Sequence, residues 1–396
     1  MTLHRNQIIG GFSYSILLFI VGSLLLLSGC DRFQQVLTPL PEPDENAPIR
    51  IGVIYSSPTR SHSLNGAELA ALQLNGAGGV HGREIEVVAR GNIIDSEHAV
   101  AIAEELISEE GVSAIVGPNL SLYAVPIGEV AQRHGIPMMT TTATNPTVTA
   151  AGDFVFMAAF TDDFQGKVMA QFAVQDLAAK TAAVLTRRNS LYSEGLSQTF
   201  IDHFTAFGGE VTHAQFYMRG DTDFTAQLTE IAESGPDVFF LPGFSAEIPL
   251  VVEQAKALGI TGILLGGDSW DNAPLIADNA ELLEGSFFST YFSANVGSGD
   301  VSEEAHQFIT AYTAIFGEAP DGGAALGYDA LRLVVQAMLR TDELTPTAIR
   351  DQLAATENYS GATFVLVYDA NRHATKSAVI NRVVNGEAQF HKLIKP

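Results

Sequence analysis

The sequence predicts an α/β fold of two doubly wound, Rossmann-like lobes, each a mostly parallel sheet with helices on both faces. Short apolar runs alternate regularly with helical patterns, and this alternation is typical of parallel sheets covered by helices. The length of 396 residues is too great for one ordinary domain and suits two. Hydrophobic residues make up 46% and charged residues 17%, which allows sizeable cores and argues against disorder.

The first series of elements runs from residue 49 to residue 140. Its predicted strands are Ile49–Tyr55, Glu84–Ala89, Ala114–Val116 and Pro137–Thr140. Its predicted helices lie between them, at Leu64–Leu74, Glu97–Ile107 and Leu122–Arg133. The first helix is followed by the glycine-rich turn Asn75–Gly79, a common stop signal for helices.

A second series begins after Phe160. Its predicted strands are Ala182–Thr186, Glu210–Tyr217, Val238–Leu241, Ile263–Leu265 and the return strand Gly285–Tyr291. Its predicted helices are Gln165–Asp176, Leu191–Ala206, Phe224–Glu233 and Ile248–Leu258, and two or three more follow at Ser302–Phe316, Gly323–Leu339 and Thr345–Ala355. The tail is predicted to form strands at Thr363–Tyr368, Ser377–Val384 and Ala388–Leu393, with a hairpin turn at Asn385-Gly386. Two such lobes side by side leave a cleft beyond the carboxyl ends of their strands, where ligands bind in open α/β sheets.

The amino terminus has the layout of a signal peptide. Arg5 precedes an apolar stretch, Ile8–Leu27, which runs into Leu27-Ser28-Gly29-Cys30. This tetrapeptide resembles the bacterial lipobox, so we predict that residues 1–29 are removed and that Cys30 carries lipid. An uncleaved membrane anchor is the alternative, since about 20 apolar residues can span a bilayer. Both interpretations place the remainder outside the cytoplasm.

Residues 30–48 are predicted to form a tether, because prolines and acidic residues make this stretch stiff and polar. Asp31 resembles an inner-membrane retention signal of enterobacterial lipoproteins, which favours a lipid anchor in the cytoplasmic membrane, facing the periplasm or cell exterior. The single cysteine, Cys30, allows no intrachain disulfide. The formal net charge of −24 repels phosphates, so we predict no nucleic-acid partner.

Several segments together resemble the leucine/isoleucine/valine-binding protein family. They are Gly66–Gly82, Val112–Pro118 with Ser121, Gly135–Thr140, Ala143–Pro146, Asp162–Gly166 and Gly327–Ala330. The resemblance covers about residues 49–396, and these proteins are type I periplasmic binding proteins that deliver solutes to ABC importers. It implies three hinge crossings between lobe 1, at residues 49–159 plus 287–358, and lobe 2, at residues 160–286 plus 359–396.

The resemblance also implies a site for an amino acid ligand. Ser121, Thr142 and Thr144 match positions that hold the ligand carboxylate. Asp268 matches the acidic partner of the α-ammonium, where glutamate is usual in the family. A helix N-cap is the alternative role of Ser121 and of Asp268, and a solvated turn is the alternative for the two threonines.

Three aromatic residues complete the predicted site. Tyr192 matches an aromatic residue that closes over the ligand from lobe 2, and Phe244 falls where tyrosine is common. Trp270 either lines the pocket for the ligand's side chain or belongs to the core. The family's usual aromatic residue is absent at the cleft mouth, where Ser56, Ser57 and Thr59 are expected instead. These departures leave the identity of the ligand's side chain open.

The sequence contains no recognisable set of catalytic residues. The segment Gly243–Glu247 lacks the closing glycine of a nucleophile elbow, and Gly166-Lys167 lacks the upstream glycine of a phosphate loop. The ten histidines are scattered without a zinc-binding pattern. We therefore predict a binding protein without cofactor or metal, which captures a small amino acid of branched-chain, aliphatic or small polar type for ABC permease subunits. A ligand-sensing or regulatory lipoprotein of the same fold, with an amide or urea-like ligand, is the alternative.

Overall fold

The computed structural model describes residues 47–56, 62–295 and 302–396, without the side chains of residues 364–366. The predicted signal peptide, Cys30 and nearly all of the tether lie outside the described residues, as do Ser57 and Thr59. Residues Asn46–Pro396 cluster into one compact unit. In the described ranges, no helix is long and apolar enough to cross a membrane.

Strands and helices alternate along the described chain. The strands are β1 (Ile49–Ile54), β2 (Ile85–Arg90), β3 (Ala114–Val116), β4 (Met138–Thr140), β5 (Val155–Met157), β6 (Thr181–Arg187), β7 (Glu210–Tyr217), β8 (Val238–Phe240), β9 (Ile263–Gly266), β10 (Phe287–Thr290), β11 (Tyr359–Gly361), β12 (Phe364–Tyr368), β13 (Ala374–Thr375), β14 (Ala378–Val384) and β15 (Glu387–Ile394). The helices are α1 (His62–Gly76), α2 (Ser96–Ser108), α3 (Ser121–His134), α4 (Asp162–Gln175), α5 (Leu191–Ala206), α6 (Thr225–Ser234), α7 (Ile248–Ala257), α8 (Ala273–Asp278), α9 (Ala280–Leu283), α10 (Glu303–Phe316), α11 (Gly322–Leu339) and α12 (Pro346–Ala354). Short 3-10 helices span Pro146–Ala151 and Asp268–Trp270. The sequence analysis did not predict β5, α8, α9, β11 or β13, which are short elements of two to six residues.

Five strands of the described chain form the first sheet, all parallel, in the order β2-β1-β3-β4-β5. Successive residues of a strand point to opposite faces. Ile51 and Val53 pack in one cluster with α1 and α11, whereas Ile54 and Ile115 pack in another with α2 and α3. Helices therefore cover both faces of this sheet. We call it, together with α1–α3 and α10–α12, lobe 1.

The second sheet contains seven strands of the described chain, in the order β15-β14-β10-β9-β8-β6-β7. The strands β6–β10 run parallel, and β14 and β15 add an antiparallel edge. Phe240 packs with Phe200 of α5 on one face, and Phe239 packs with Ile248 of α7 on the other. We call this sheet, together with α4–α9, lobe 2.

Two of the lobe boundaries differ from those drawn on the sequence. Residues 287–290 were placed in lobe 1, but β10 pairs with β9 and β14 in the second sheet. Residues 359–376 were placed in lobe 2, but Asp329 of α11 accepts hydrogen bonds from the N–H groups of Ala362 and Thr363 at 2.8 and 2.9 Å. An apolar run does not reveal which sheet it joins, because that choice depends on distant partners. Two crossings lie within residues 158–161 and 376–377, and the chain leaves the second sheet for a further crossing after Thr290.

Helices α1 and α11 pack closely because each carries a glycine where they cross. A Cβ atom added at Gly66 would lie 1.9 Å from the carbonyl oxygen of Ala324, and one added at Gly327 would lie 2.0 Å from that of Ser63. Both glycines therefore permit backbone-to-backbone contact that no larger residue allows. The crossing lies near the first turns of both helices, so it brings both amino termini to the same edge of lobe 1.

Candidate ligand-binding cleft

A cavity of about 460 Å³ lies between the two lobes, beyond the carboxyl ends of their parallel strands. Lobe 1 contributes Ser56, His62, Ser63, Asn119, Leu120, Ser121, Thr142, Asp321, Gly322 and Gly323. Lobe 2, together with Tyr291 directly after its strand β10, contributes the other side of the lining: Tyr192, Phe244, Ser245, Asp268, Ser269, Asp271, Asn272, Pro274, Thr290 and Tyr291. The volume suits a small organic molecule.

On the lobe 1 side, the cavity wall includes a helix amino terminus and hydroxyl groups. Ser121 is the first residue of α3, and Leu120 holds the N-cap position without a side-chain cap. The alternative role of Ser121 as the N-cap is therefore not what the structure shows. The Ser121 hydroxyl accepts a hydrogen bond from the Asn145 N–H at 3.3 Å, and the Thr142 hydroxyl donates to the Asn119 carbonyl at 2.9 Å. Helix amino termini of this kind favour negatively charged ligand groups.

Thr144 is not part of the cavity wall. It is fully buried, and its carbonyl accepts a hydrogen bond from the Asp162 N–H at 2.9 Å. Its neighbour Asn145 donates from its side-chain amide to the Leu191 carbonyl at 2.8 Å and to Asp162 at 3.3 Å. The hydrogen bonds of Thr144 and Asn145 therefore connect lobe 1 to α4 and α5 of lobe 2. The structure brings Ser121 and Thr142 together in the cavity lining but does not include Thr144 in it.

Asp268 supplies a carboxylate on the lobe 2 side of the cavity. It begins the 3-10 helix after β9, and Asn272 rather than Asp268 caps the following helix α8. Its Oδ1 accepts a hydrogen bond from the Gln165 amide at 3.0 Å, and its Oδ2 accepts one from the Tyr291 hydroxyl at 2.8 Å. Burial raises the pKa of Asp268, while these hydrogen bonds oppose the rise. Such a carboxylate suits a cationic ligand group, which would compensate for its burial.

Two of the three predicted aromatic residues line the cavity. The rings of Tyr192 and Phe244 lie 5.5 Å apart, and the Tyr192 hydroxyl bonds to that of Ser269 at 3.0 Å. Trp270 does not line it: the side chain is fully buried in the core of lobe 2, where its Nε1 donates to the Leu241 carbonyl at 2.9 Å. The core interpretation of Trp270 is the one that the structure supports.

Sequence reasoning missed a cluster of charged residues at the cavity. Nδ1 of His62 and Oδ2 of Asp321 lie 2.5 Å apart, and this contact raises the pKa of His62 to about 9. Asp271 accepts hydrogen bonds at Oδ2 from the Thr290 hydroxyl (2.5 Å) and the Gly322 N–H (2.9 Å). Burial, together with the charge of Asp321, raises the pKa of Asp271 to about 7. Asp321 caps the amino terminus of α11. Its position just before a helical pattern is the feature of the sequence that could have pointed to this residue.

The described part of the chain holds no group of three or more histidine, cysteine, aspartate or glutamate side chains arranged to bind a metal ion.

Residues 48–388 match the sequence profile of the family described as periplasmic binding protein. The chain belongs to this family. Membership confirms the prediction of a non-enzymatic binding protein and indicates that the protein is exported.

Solved structures of the family confirm the predicted fold class. A leucine-binding protein, LivK, from Thermotoga maritima is 34% identical, with a TM-score of 0.81 over 88% of this chain and 99% of that chain. LivJ from Streptococcus pneumoniae, a branched-chain amino acid transporter substrate-binding protein in complex with isoleucine, is 30% identical, with a TM-score of 0.81 over 88% and 100%. The resemblance to leucine/isoleucine/valine-binding proteins is therefore confirmed.

Curated relatives carry similar names but are matched over shorter stretches. Leu/Ile/Val-binding protein homolog 3 of Brucella melitensis is 29% identical over 61% of this chain and 67% of its own length. An amino acid binding protein of Pseudomonas aeruginosa is 32% identical over 51% of this chain and 54% of its own length. The matched part thus spans between about half and two thirds of these relatives.

Proposed function

We propose that this protein is the solute-binding component of an ABC importer and that it binds an α-amino acid between its lobes. The observation that carries the proposal is the chemistry of the cavity's two sides. Lobe 1 offers the amino terminus of α3 with the hydroxyls of Ser121 and Thr142, and lobe 2 offers the carboxylate of Asp268. A zwitterion with its carboxylate toward lobe 1 and its ammonium toward Asp268 matches this division.

The names of the relatives support both parts of the proposal. LivJ is described as a transporter substrate-binding protein in complex with isoleucine, and LivK as a leucine-binding protein. Branched-chain and aliphatic amino acids are therefore the first ligands to test, and ABC permease subunits are the proposed partners. Closure of the two lobes around the ligand would provide the signal that the permease recognises.

The proposed location is the outer face of the cytoplasmic membrane, through lipid on Cys30. The support is the order of features in the sequence: Arg5, the apolar stretch Ile8–Leu27 and the lipobox-like Leu27–Cys30. Labelling of cells with a fatty acid analogue tests this directly. Label on the wild-type protein and its loss in Cys30→Ser are the expected results, whereas equal labelling of both would contradict the proposal.

Calorimetric titration of the purified protein with each standard amino acid tests the binding function. We expect at least one to bind, and we expect Asp268→Asn to weaken that binding about 10- to 150-fold, because a charge-assisted hydrogen bond contributes about 1.5–3 kcal/mol. Asp163→Asn is the matched control, since this aspartate is exposed on α4 and does not line the cavity. The absence of any response to amino acids, or undiminished binding by Asp268→Asn, would contradict the proposal.

A further inference from the structure

The charged side chains of the cavity are mostly acidic. In the described part of the lining, three carboxylates, those of Asp268, Asp271 and Asp321, face a single basic side chain, that of His62. The proposed function assigns one carboxylate, Asp268, to the ligand's α-ammonium. The other two lie near each other, because Asp271 accepts a hydrogen bond at 2.9 Å from the N–H of Gly322, the residue that follows Asp321.

The two remaining carboxylates differ in their partners. Asp321 has a cationic partner in His62 at 2.5 Å, and its other oxygen caps α11 by accepting a hydrogen bond from the Ala324 N–H at 2.8 Å. The hydrogen bonds that Asp271 accepts from described residues come from neutral donors, the Thr290 hydroxyl and the Gly322 N–H. The single imidazolium of His62 thus serves two carboxylates, because its charge interacts with Asp271 as well as with Asp321. Asp271 is half-buried and accepts no hydrogen bond from a cation among the described residues, and burial together with the charge of Asp321 raises its pKa to about 7. A cation beside Asp271 would oppose this rise.

Gly322 lets the carboxylate of Asp271 lie directly against the backbone of lobe 1. A Cβ atom added at this position would lie 2.7 Å from Oδ2 of Asp271 and 2.7 Å from Oγ1 of Thr290. Gly323 follows, and both glycines line the cavity. The lobe 1 lining next to Asp271 and Asp321 is therefore backbone at these two positions and offers a ligand no apolar side chain there.

The lining offers little surface to an aliphatic ligand side chain. Leu120 and Pro274 are the aliphatic side chains among the described lining residues, and the aromatic rings are those of Tyr192, Phe244 and Tyr291. A leucine or isoleucine side chain placed against Asp271 would exclude water from a carboxylate and give nothing in return. A polar and positively charged group avoids this cost.

We propose that the ligand is an amino acid whose side chain carries a positive charge, an ammonium or a guanidinium, and that Asp271 is the counter-ion of that charge. The inference rests on the proposed function, because it takes the α-ammonium to be bound at Asp268. It makes Asp271 the residue that determines specificity. It also separates this protein from the branched-chain preference in its relatives' names.

Two pairs of ligands that differ mainly in side-chain charge test the inference on the unaltered protein. Arginine is compared with citrulline, and lysine with norleucine, by calorimetric titration at pH 7.5. We expect the charged member of at least one pair to bind at least tenfold more tightly than its neutral counterpart. Equal or tighter binding of the neutral member in both pairs overturns the inference.

The same titrations distinguish failure of the inference from failure of the proposed function. If leucine or isoleucine binds and neither charged ligand is preferred, the inference is overturned and the amino-acid-binding function stands. If no amino acid binds, the proposed function fails and the inference fails with it.

Asp271→Asn tests the role of this residue while keeping an oxygen that can accept the Gly322 hydrogen bond. We expect the preference for the charged ligand to fall at least tenfold, with little change for the neutral one. An equal loss for both ligands would mean that Asp271 serves only to hold the lobes together, and it would overturn the inference. Asp163→Asn, with the same change in charge on the exposed face of α4, should keep the preference.

Discussion

The Tyr291 hydroxyl donates a hydrogen bond to Oδ2 of Asp268 at 2.8 Å. Tyr291 directly follows β10, where the chain leaves the second sheet and crosses to lobe 1. The Gln165 amide occupies the other carboxylate oxygen at 3.0 Å, and each oxygen retains a lone pair for a further donor. The carboxylate is thus oriented before a ligand arrives, and one of the groups that orient it belongs to a crossing segment.

Tyr291→Phe is predicted to weaken amino acid binding without unfolding the protein. The substitution removes one hydrogen bond to a carboxylate, for which a loss of about 1.5 kcal/mol corresponds to about tenfold in affinity. Calorimetric titration measures the change. Tyr328→Phe is the control, since that hydroxyl bonds to Gln73 away from the cavity, at 2.6 Å. Equal affinities for wild type and Tyr291→Phe would show that Asp268 does not need the hydrogen bond from Tyr291.

Much of the fold was predictable because both lobes repeat one local pattern. The helix Leu191–Ala206 and the strand Glu210–Tyr217 were predicted with the bounds that the structure shows. The meeting of Ser121, Thr142 and Asp268 at one cavity also followed, since parallel strands present their carboxyl ends at the same edge. Their binding roles stay predictions until a ligand is measured.

The charged part of the cavity was not predictable, because it depends on contacts between distant segments. His62 and Asp321 are 259 residues apart in the sequence, and Asp271 and Gly322 are 51 apart. No local periodicity relates such positions. Trp270 shows the opposite difficulty, because it is only two residues from Asp268 in the sequence. The 3-10 helix that contains both residues leaves Asp268 facing the cavity and Trp270 facing the core.

His62 is predicted to make stability depend on pH above neutrality. Its folded-state pKa of about 9 exceeds the ordinary value of 6.5, because Asp321 favours the protonated form. The stabilisation is fully present below pH 6.5 and is lost as the pH rises through 9. Urea unfolding of the ligand-free protein between pH 6 and 10 measures it, and His62→Gln should flatten the curve in that window.

The comparison with His62→Gln is necessary because a second group titrates nearby in pH. Burial lowers the pKa of Lys376 from 10.5 to about 8, so its contribution to stability increases between those two values as the pH rises. That contribution is present in wild type and variant alike and cancels in their difference. His203→Gln on α5 should track wild type. Parallel curves for wild type and His62→Gln would contradict the assigned role of the imidazole.

Gly66→Ala is predicted to destabilise the protein by disturbing the crossing of α1 and α11. The added methyl group would lie 1.9 Å from the Ala324 carbonyl oxygen, so the helices must separate, and overpacking of this kind costs about 1–3 kcal/mol or more. Gly76→Ala, at the end of the same helix, meets no atom within 4 Å and should be neutral or stabilising by up to about 1 kcal/mol. Urea unfolding measures both free energies, and similar values for the two variants would show that the helices do not depend on close contact.

Asp329 and Lys376 are predicted to be energetically coupled through Thr363. Thr363 donates from its backbone N–H and its hydroxyl to Asp329, at 2.9 and 2.5 Å, and the Lys376 ammonium donates to the same hydroxyl and to the Ala158 carbonyl. Asp329→Ala removes the negative charge near a buried ammonium and leaves the 359–363 segment without its acceptor, at an expected cost of about 3–5 kcal/mol.

A double-mutant cycle with Lys376→Met measures that coupling by urea unfolding at pH 7. Once the ammonium is gone, Asp329→Ala no longer leaves a buried positive charge uncompensated, so we expect its cost to be smaller in the Lys376→Met background by about 1 kcal/mol or more. Because Lys376 lies at the third crossing, between β13 and the lobe 2 strand β14, this coupling would link the packing of α11 to the crossing. Additive costs for the two substitutions would mean that the carboxylate stabilises only the 359–363 segment and does not act on the crossing.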